Sequence, residues 1–459
     1  MKTQEYGVVA SNLNALTEWS AALSPADVPP AILRRAALIL LDDLGAMVAA
    51  REEPELIALR RRIAAAAGAA EATVFDGGAV RLDRYSAALG NGTAADWCEL
   101  DGGFRPAVCH AALYVIPALL AEAEATNARL DATLVALLVG YETVARVARA
   151  FVFPRLVIHP HGGLATIGAA AAVAKLRGHN ASLAAATINS AATMVLPGPF
   201  QHAVDGALVR NAWPGVCAQN GLRAADWAEI GIGGTPTGLS EVLAGVLGAT
   251  VDPGMLIHGL GDEWAVTDGY HKMHACCQYA HSTVEAILDA IGADDRPDPE
   301  NVRAIHVETH ENALKLDNAK PATTLAAKFS IQHIAAVSLN YGNASAGAFH
   351  ARTLTDPTIA ALRDKVEITQ FQPTMPPPND RPARVTITLK DGGTLQGECL
   401  SAQGGKDRPF SEDQIRDKAR GNIDAAYPGA FRHLSPLLDS PAEALDRTWR
   451  DVVNGFAKS

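Results

Sequence analysis

Aromatic side chains are scarce, at 5% of 459 residues. Alanine and the aliphatics must therefore fill the core, and such sequence favours closely packed helices. Positive charge is also short: 39 Lys and Arg face 50 Asp and Glu, a formal net charge of −11. That argues against a nucleic-acid partner, since phosphate binding needs clustered cations. Arg60-Arg61-Arg62 reads as an ordinary solvated helix face. Six cysteines are too few for a disulfide scaffold, no CxxC occurs, and the adjacent Cys276 and Cys277 cannot readily bridge one another. A reducing cytoplasm is the expected setting. No uninterrupted apolar run reaches the roughly 18 residues of a membrane span. The start MKTQEYGVVASNLNALTEW lacks the basic and apolar regions of a signal peptide. There is no Walker A loop and no GxSxG elbow. GGFRPA and GIGGTPTG are Gly-rich but follow no strand of a βαβ unit, so neither reads as a nucleotide site.

What is present is a hydrophobic fraction of 48%, enough for a large core, on a chain long enough for two to four domains. Residues 31–50 predict a helix whose apolar stripe is broken by Asp42 and Asp43. Further helices are expected over 84–98, 111–126, 131–151, 164–177, 182–195 and 206–231, each bounded by Gly, Pro, Asn or Ser. GGLATIGAAAAVAKLRG carries almost no large side chain and belongs in a crowded interior. The period changes near residue 295. After the linker ADDRPDPEN, VRAIHVETH alternates like a half-buried strand, and RVTITLKDGGTLQGECL gives a hairpin around Asp391-Gly392-Gly393. PTMPPPNDRP is a Pro-rich loop, and Ser411 is placed to cap a final helical stretch. The expected fold is mainly α with an α+β lid. A large helical domain is formed by residues 1–267 and 404–459, and the smaller α+β domain, residues 268–403, is inserted between them.

Four polar clusters interrupt apolar helical sequence. NGTAADWCELDGGFRPAVCH sets Asp96, Glu99, Asp101 and His110 in a Gly-containing loop between two helices. A carboxylate near a histidine can act as a base or tune that histidine; alternatively Asp96 caps a helix and Glu99 is solvated. HPHGGLATIG places His159 and His161 before a small-residue helix whose first N–H groups could hold a carboxylate. The same histidines could simply cap that helix, and two ligands do not make a metal site. Arg210, between an apolar stretch and a helix, is either a bidentate carboxylate clamp or a surface arginine. DGYHKMHACCQYAH gathers Lys272, His274, Cys276, Cys277 and His281. Its spacing matches no zinc-finger pattern, so Lys272 reads as a cationic anchor and His281 as a residue at the start of the next helix. A cysteine nucleophile is the alternative there, with no base identifiable.

Together these segments resemble the MmgE/PrpD family over nearly the whole chain. The likeness runs from LDDLGAMVAA through NGTAADWCELDGG, a histidine before a helix ending PALLAEAEA, GYETVARVARA and HPHGGLATIGAAAAVAKLRG to KMHACCQYAH and AAKFSIQHIAAVSL. The resemblance implies a helical body with a lid, a homodimer, and an active site between the domains that needs no metal or organic cofactor. The implied substrate is a small polycarboxylate, handled by proton transfer beside a carboxylate. A 2-methylcitrate-dehydratase-like hydro-lyase is the first reading. A cis-aconitate-type decarboxylase, an iminodisuccinate-type epimerase and a non-catalytic ligand-binding member are the alternatives. By position the family's functional residues correspond to His159, His110, Glu99 and Asp101 for catalysis. Arg210 (lysine in many relatives), Lys272, His281 and Phe329 correspond to substrate binding. This chain departs from the family's Asp-x-Asp-Asp-Thr run: it reads Glu99-Leu100-Asp101-Gly102-Gly103, losing a hydroxyl and one carboxylate, and Ala111 rather than Pro follows His110.

Overall fold

In the computed structural model, which describes residues 2–154, 157–292 and 296–456, the first half of the chain is a set of packed helices. They are α1 (Lys2–Ala22), α2 (Pro30–Ala49), α3 (Pro54–Ala66), α4 (Arg84–Trp97), α5 (Ala111–Ala125), α6 (Leu130–Ala150), α7 (Pro160–Leu176), α8 (Ala181–Ala192), the short α9 (Gln201–Asp205) and α10 (Val209–Glu229). The expected starts at 164 and 206 are shifted. Pro160 opens α7 one residue after His159, because proline suits the first helical position. Gly206, at φ +75°, ends α9 in the left-handed conformation and separates it from α10.

α7 is the small-residue helix, and it packs against α5, α6, α8 and α10, as a helix without bulky side chains can. α4 and α10 approach most closely where Gly92 faces Gly215: a Cβ on Gly92 would lie 2.6 Å from the Gly215 Cα. Only glycine permits that crossing. It brings Asp96, one turn beyond Gly92, beside Arg210 in the first turn of α10. The Asp42–Asp43 interruption in α2 is not a solvated face. Both carboxylates are buried, and Asp42 meets His271 Nδ1 at 2.6 Å and Lys418 Nζ at 2.7 Å.

The later part contains a four-stranded sheet of β1 (Val302–Thr309), β2 (Val366–Gln370), β3 (Ala383–Leu389) and β4 (Thr394–Cys399), ordered β4-β3-β1-β2. β1 and β2 run parallel and the other pairs antiparallel. The two alternating segments are strands as expected, and the β3–β4 turn uses Gly392 at φ +91°. Ile305, Val307, Val385 and Ile387 point into a core shared with α11 (His281–Ile291) and α12 (Ile331–Tyr341). The same core takes in Trp97, Cys98 and Leu100, so the sheet-bearing part grips the end of α4. Of the expected 293–301 linker, residues 293–295 lie outside the described residues. Ser411 caps α13 (Glu412–Ala426) in a capping box with Gln414. α13 lies on α2, where a Cβ at Gly45 would be 3.3 Å from the Ala419 Cα, so the chain ends back on its first helices. Among the described residues no helix is long and apolar enough to cross a membrane.

Candidate active site

The loop after α4 carries the chemistry and is held from three directions. Lys328 Nζ donates to the Trp97 carbonyl at 2.7 Å, Lys418 Nζ to the Leu100 carbonyl at 2.8 Å, and Lys272 Nζ to Glu99 Oε2 at 3.2 Å. Between them Glu99 adopts φ +52°, a left-handed conformation that costs a non-glycine residue about 1 kcal/mol and collects at functional sites. Beyond it, Gly103–Phe104 pairs antiparallel with Gly269–Tyr270, which fixes the loop against the segment bearing Lys272. A Cβ on Gly103 would overlap the Tyr270 ring. The phenol thus fills the space of the side chain that the Gly102-Gly103 departure removes.

Asp96 belongs to the last turn of α4 and not to the loop, which corrects the expectation from sequence; it is fully buried, as are Glu99 and Asp101, so none of the three is solvated. Arg210 Nη1 contacts Asp96 at 2.6 Å and Glu99 at 2.5 Å, and its guanidinium lies 5.1 Å from the Phe329 ring centre. Lys272, fully buried, stands 3.6 Å from Asp101, whose other oxygen meets His110 Nδ1 at 2.5 Å. Two chemical links thus run through the cluster: Arg210 joins Asp96 to Glu99, and Lys272 joins Glu99 to Asp101.

Burial raises all three carboxyls, and the neighbouring charges then separate them. Lys272 and His110 hold Asp101 well below the usual carboxylate range, and Arg210 and Lys272 hold Glu99 down. Asp96 remains raised, because Glu99 and Asp101 add to burial against the pull of Arg210. Three buried carboxyls thus face two permanent cations, Arg210 and Lys272.

His159 is the N-cap of α7 and is buried. Burial and the nearby Arg210 charge push its pKa well below the usual histidine range, so the ring is neutral. Arg210 Nε approaches His159 Nε2 at 3.2 Å, and the His161 amide approaches Nδ1 at 3.3 Å. A neutral imidazole has one lone pair for both, so a proton taken by His159 disrupts one contact. His161 lies behind it, accepting from the Tyr114 hydroxyl at Nδ1 and donating to Asp96 from Nε2, each at 2.9 Å.

A cavity opens onto these groups. Its wall includes Glu99, His110, His159 and Arg210 from the helical part, with Tyr270, Cys277, Gln278, Phe329 and Arg381 from later in the chain. Of the eight residues expected from sequence, His110, His159, Glu99, Arg210 and Phe329 line it, and Asp101 and Lys272 stand directly behind. His281 is elsewhere. It is the first residue of α11, with Nε2 3.2 Å from the Cys276 carbonyl, and it faces a small adjoining cavity. Arg381, Gln278 and Phe200 were not picked out by sequence. Arg381 sat in a segment notable only for proline, and its signal, an arginine in an otherwise apolar and turn-forming stretch, is common. Burial pushes the Cys277 thiol up to about 11, which disfavours the thiolate that a nucleophile needs. Among the described residues no three His, Cys, Asp or Glu side chains form a metal-ligand group.

The MmgE/PrpD N-terminal domain matches residues 14–255 and the MmgE/PrpD C-terminal domain residues 274–433. The chain belongs to the MmgE/PrpD family. It is 28% identical over 449 residues to the cis-aconitate decarboxylase-like protein oryM of Aspergillus oryzae, covering 91% of each chain. It is 26% identical over 435 residues to a cis-aconitate decarboxylase of Aspergillus terreus, covering 88% of each. To the human cis-aconitate decarboxylase it is 26% identical over 365 residues, 75% of this chain and 73% of that one.

Proposed function

We propose that the protein is a lyase acting on a small polycarboxylate of the cis-aconitate type, and that it removes one carboxyl group as CO2. The observation that carries the reading is His110, held by Asp101 at 2.5 Å on the wall of a cavity that the neutral His159 also lines. The names of the relatives favour decarboxylation among the family's outcomes.

In such a step the bond between carbon and the departing carboxylate breaks, and its electron pair stays on carbon. The pair delocalises into the adjoining unsaturated carboxylate. Cations beside the cavity make that charge tolerable. A proton must then reach the carbanion. His110, protonated and supported by Asp101, is the donor in this reading, and solvent restores its proton. His159, whose charged form is opposed by burial and Arg210, stays neutral beside the reacting carbon and takes no proton in this step. Arg210 and Lys272 hold Asp96, Glu99 and Asp101 in place.

A second reading, loss of water from a citrate-like substrate, is favoured by the presence of two imidazoles on the cavity wall, one to take the proton and one to protonate the leaving hydroxyl. Incubation with cis-aconitate, citrate, 2-methylcitrate and iminodisuccinate in deuterated water, followed by NMR, separates these outcomes. Deuterium at one carbon with CO2 release supports decarboxylation, and an alkene from citrate or 2-methylcitrate supports dehydration. No conversion of any of them overturns the proposal. The division at residues 268 and 403, the homodimer and the cytoplasmic setting belong to the same proposal; light scattering of the purified protein tests the dimer.

A further inference from the structure

The cations first expected to clamp substrate are already engaged. Arg210 Nη1 lies against Asp96 and Glu99, and Lys272 lies between Glu99 and Asp101. With three carboxyls to two cations, that side of the cavity has no positive charge to spare for an anionic ligand.

Another part of the wall differs. Arg381 enters from the loop before β3 and lines both the main cavity and the adjoining one, together with Tyr270 and Gln278. Its side chain is mostly buried, at 15% exposure. Gln278 Oε1 accepts from its Nη1, and its guanidinium lies 5.0 Å from the Tyr279 ring centre. The nearest carboxylate, Asp380, is 4.0 Å from Arg381 Nε and is engaged by Arg105, which meets its two oxygens at 2.5 and 3.4 Å. Two guanidiniums therefore share one carboxylate at the cavity wall. A buried charge with so little compensation is costly unless a counter-ion arrives, and a guanidinium fork fits a carboxylate.

We infer that Arg381 is the substrate-carboxylate anchor of this enzyme, receiving from the lid side one carboxylate of the polycarboxylate substrate while the Arg210 and Lys272 charges stay with the protein's own acids. Burial and the adjacent Arg105 both weaken the charged form of Arg381, the environment an incoming carboxylate relieves. Binding at Arg381 also joins the sheet-bearing part to the helical part through the ligand, since Arg381 precedes β3 and the acid/base groups lie on the helical side.

The inference rests on the proposed function and is tested with tricarballylate, a saturated tricarboxylate that lacks the double bond needed for reaction. Binding to wild type, Arg381→Gln and Arg381→Lys is measured by calorimetry, and the thermal midpoint of each is recorded. Loss of charge-assisted hydrogen bonds of about 1.5–3 kcal/mol predicts about 10- to 100-fold weaker binding by Arg381→Gln. Arg381→Lys should recover part of it. In turnover of whichever substrate is converted, KM should rise far more than kcat falls. Arg381→Gln that melts with the wild type and binds tricarballylate equally well overturns this inference and leaves the function standing. A wild type that neither binds tricarballylate nor converts any polycarboxylate overturns both. If Arg381→Gln melts early, Arg381→Lys decides: wild-type affinity and KM in a variant that has lost the planar fork count against the anchor, and an intermediate affinity supports it.

Discussion

Replacing Lys272 by methionine tests the view that this lysine is a structural counter-ion of the acid cluster. Its ammonium is fully buried, 3.2 Å from Glu99 and 3.6 Å from Asp101. Methionine is close in volume, so packing is nearly conserved and the change is electrostatic. It leaves Glu99 and Asp101 buried with only Arg210 and His110 beside them. Breaking a buried pair from one side costs about 3–5 kcal/mol. With an unfolding entropy of about 2.1 cal/mol/K per residue, a chain this long that melts as one unit should lose about 3–5 °C. Scanning calorimetry reads the shift directly. Adding Glu99→Gln or Asp101→Asn to Lys272→Met should recover part of the loss, because the variant then has one fewer uncompensated charge. The loss should also shrink in acid, where the uncompensated buried acids protonate more readily. A Lys272→Met protein that melts within about 0.5 °C of wild type, with no coupling to Glu99 or Asp101, would refute the reasoning.

Other outcomes follow from the same geometry. His159→Ala and His110→Gln should each reduce turnover about 10²- to 10⁴-fold with the circular-dichroism spectrum unchanged; unchanged turnover removes that residue from the mechanism. Gly103→Thr should cost about 1–3 kcal/mol by driving a side chain into the Tyr270 ring, and most of that cost should vanish in a Tyr270→Ala background, as read by a double-mutant cycle in urea. Several buried histidines have pKa values below their usual 6.5 in the folded state, burial being the first cause: His159 and His161 well below, and His274 at about 4. The unfolded chain therefore binds more protons. The contribution of these histidines should be fully present above pH 6.5 and be lost as pH drops from 6.5 towards 4, with Glu99 and Asp101 adding further loss at lower pH and the raised Asp96 acting in the opposite sense. A flat denaturation midpoint from pH 7 to 4.5 would contradict this.

Local pattern reached far in this chain. Apolar periodicity and terminal signals located the helices α2, α4, α5, α6 and α8 to within a few residues, and the period-2 segments became β1, β3 and β4. The misplaced starts have local causes that were in the sequence: Pro160 directly after His159, and Gly206 ending a five-residue helix. The residue types of the site were legible because a carboxylate or histidine inside an apolar stretch must be satisfied somewhere, and Glu99, Asp101, His110, His159, Arg210 and Lys272 are mutually close.

Pairings over long separations were not legible, because they depend on where helices cross. Composition and periodicity, which act over a turn or two, determined by themselves that this chain would be helical, Ala-packed and interrupted late by strands. Only the tertiary structure decided which charges would cancel. The Gly92–Gly215 contact sets Asp96 against Arg210, and lysines at 272, 328 and 418 converge on residues 97–101 at the end of α4. Once those cations are held by buried acids, Arg381 is a guanidinium on the cavity wall that has only a carboxylate shared with Arg105 to balance it, and its own segment gives no hint of this, since a side chain's charge balance is set by what is folded around it and not by its neighbours in the chain.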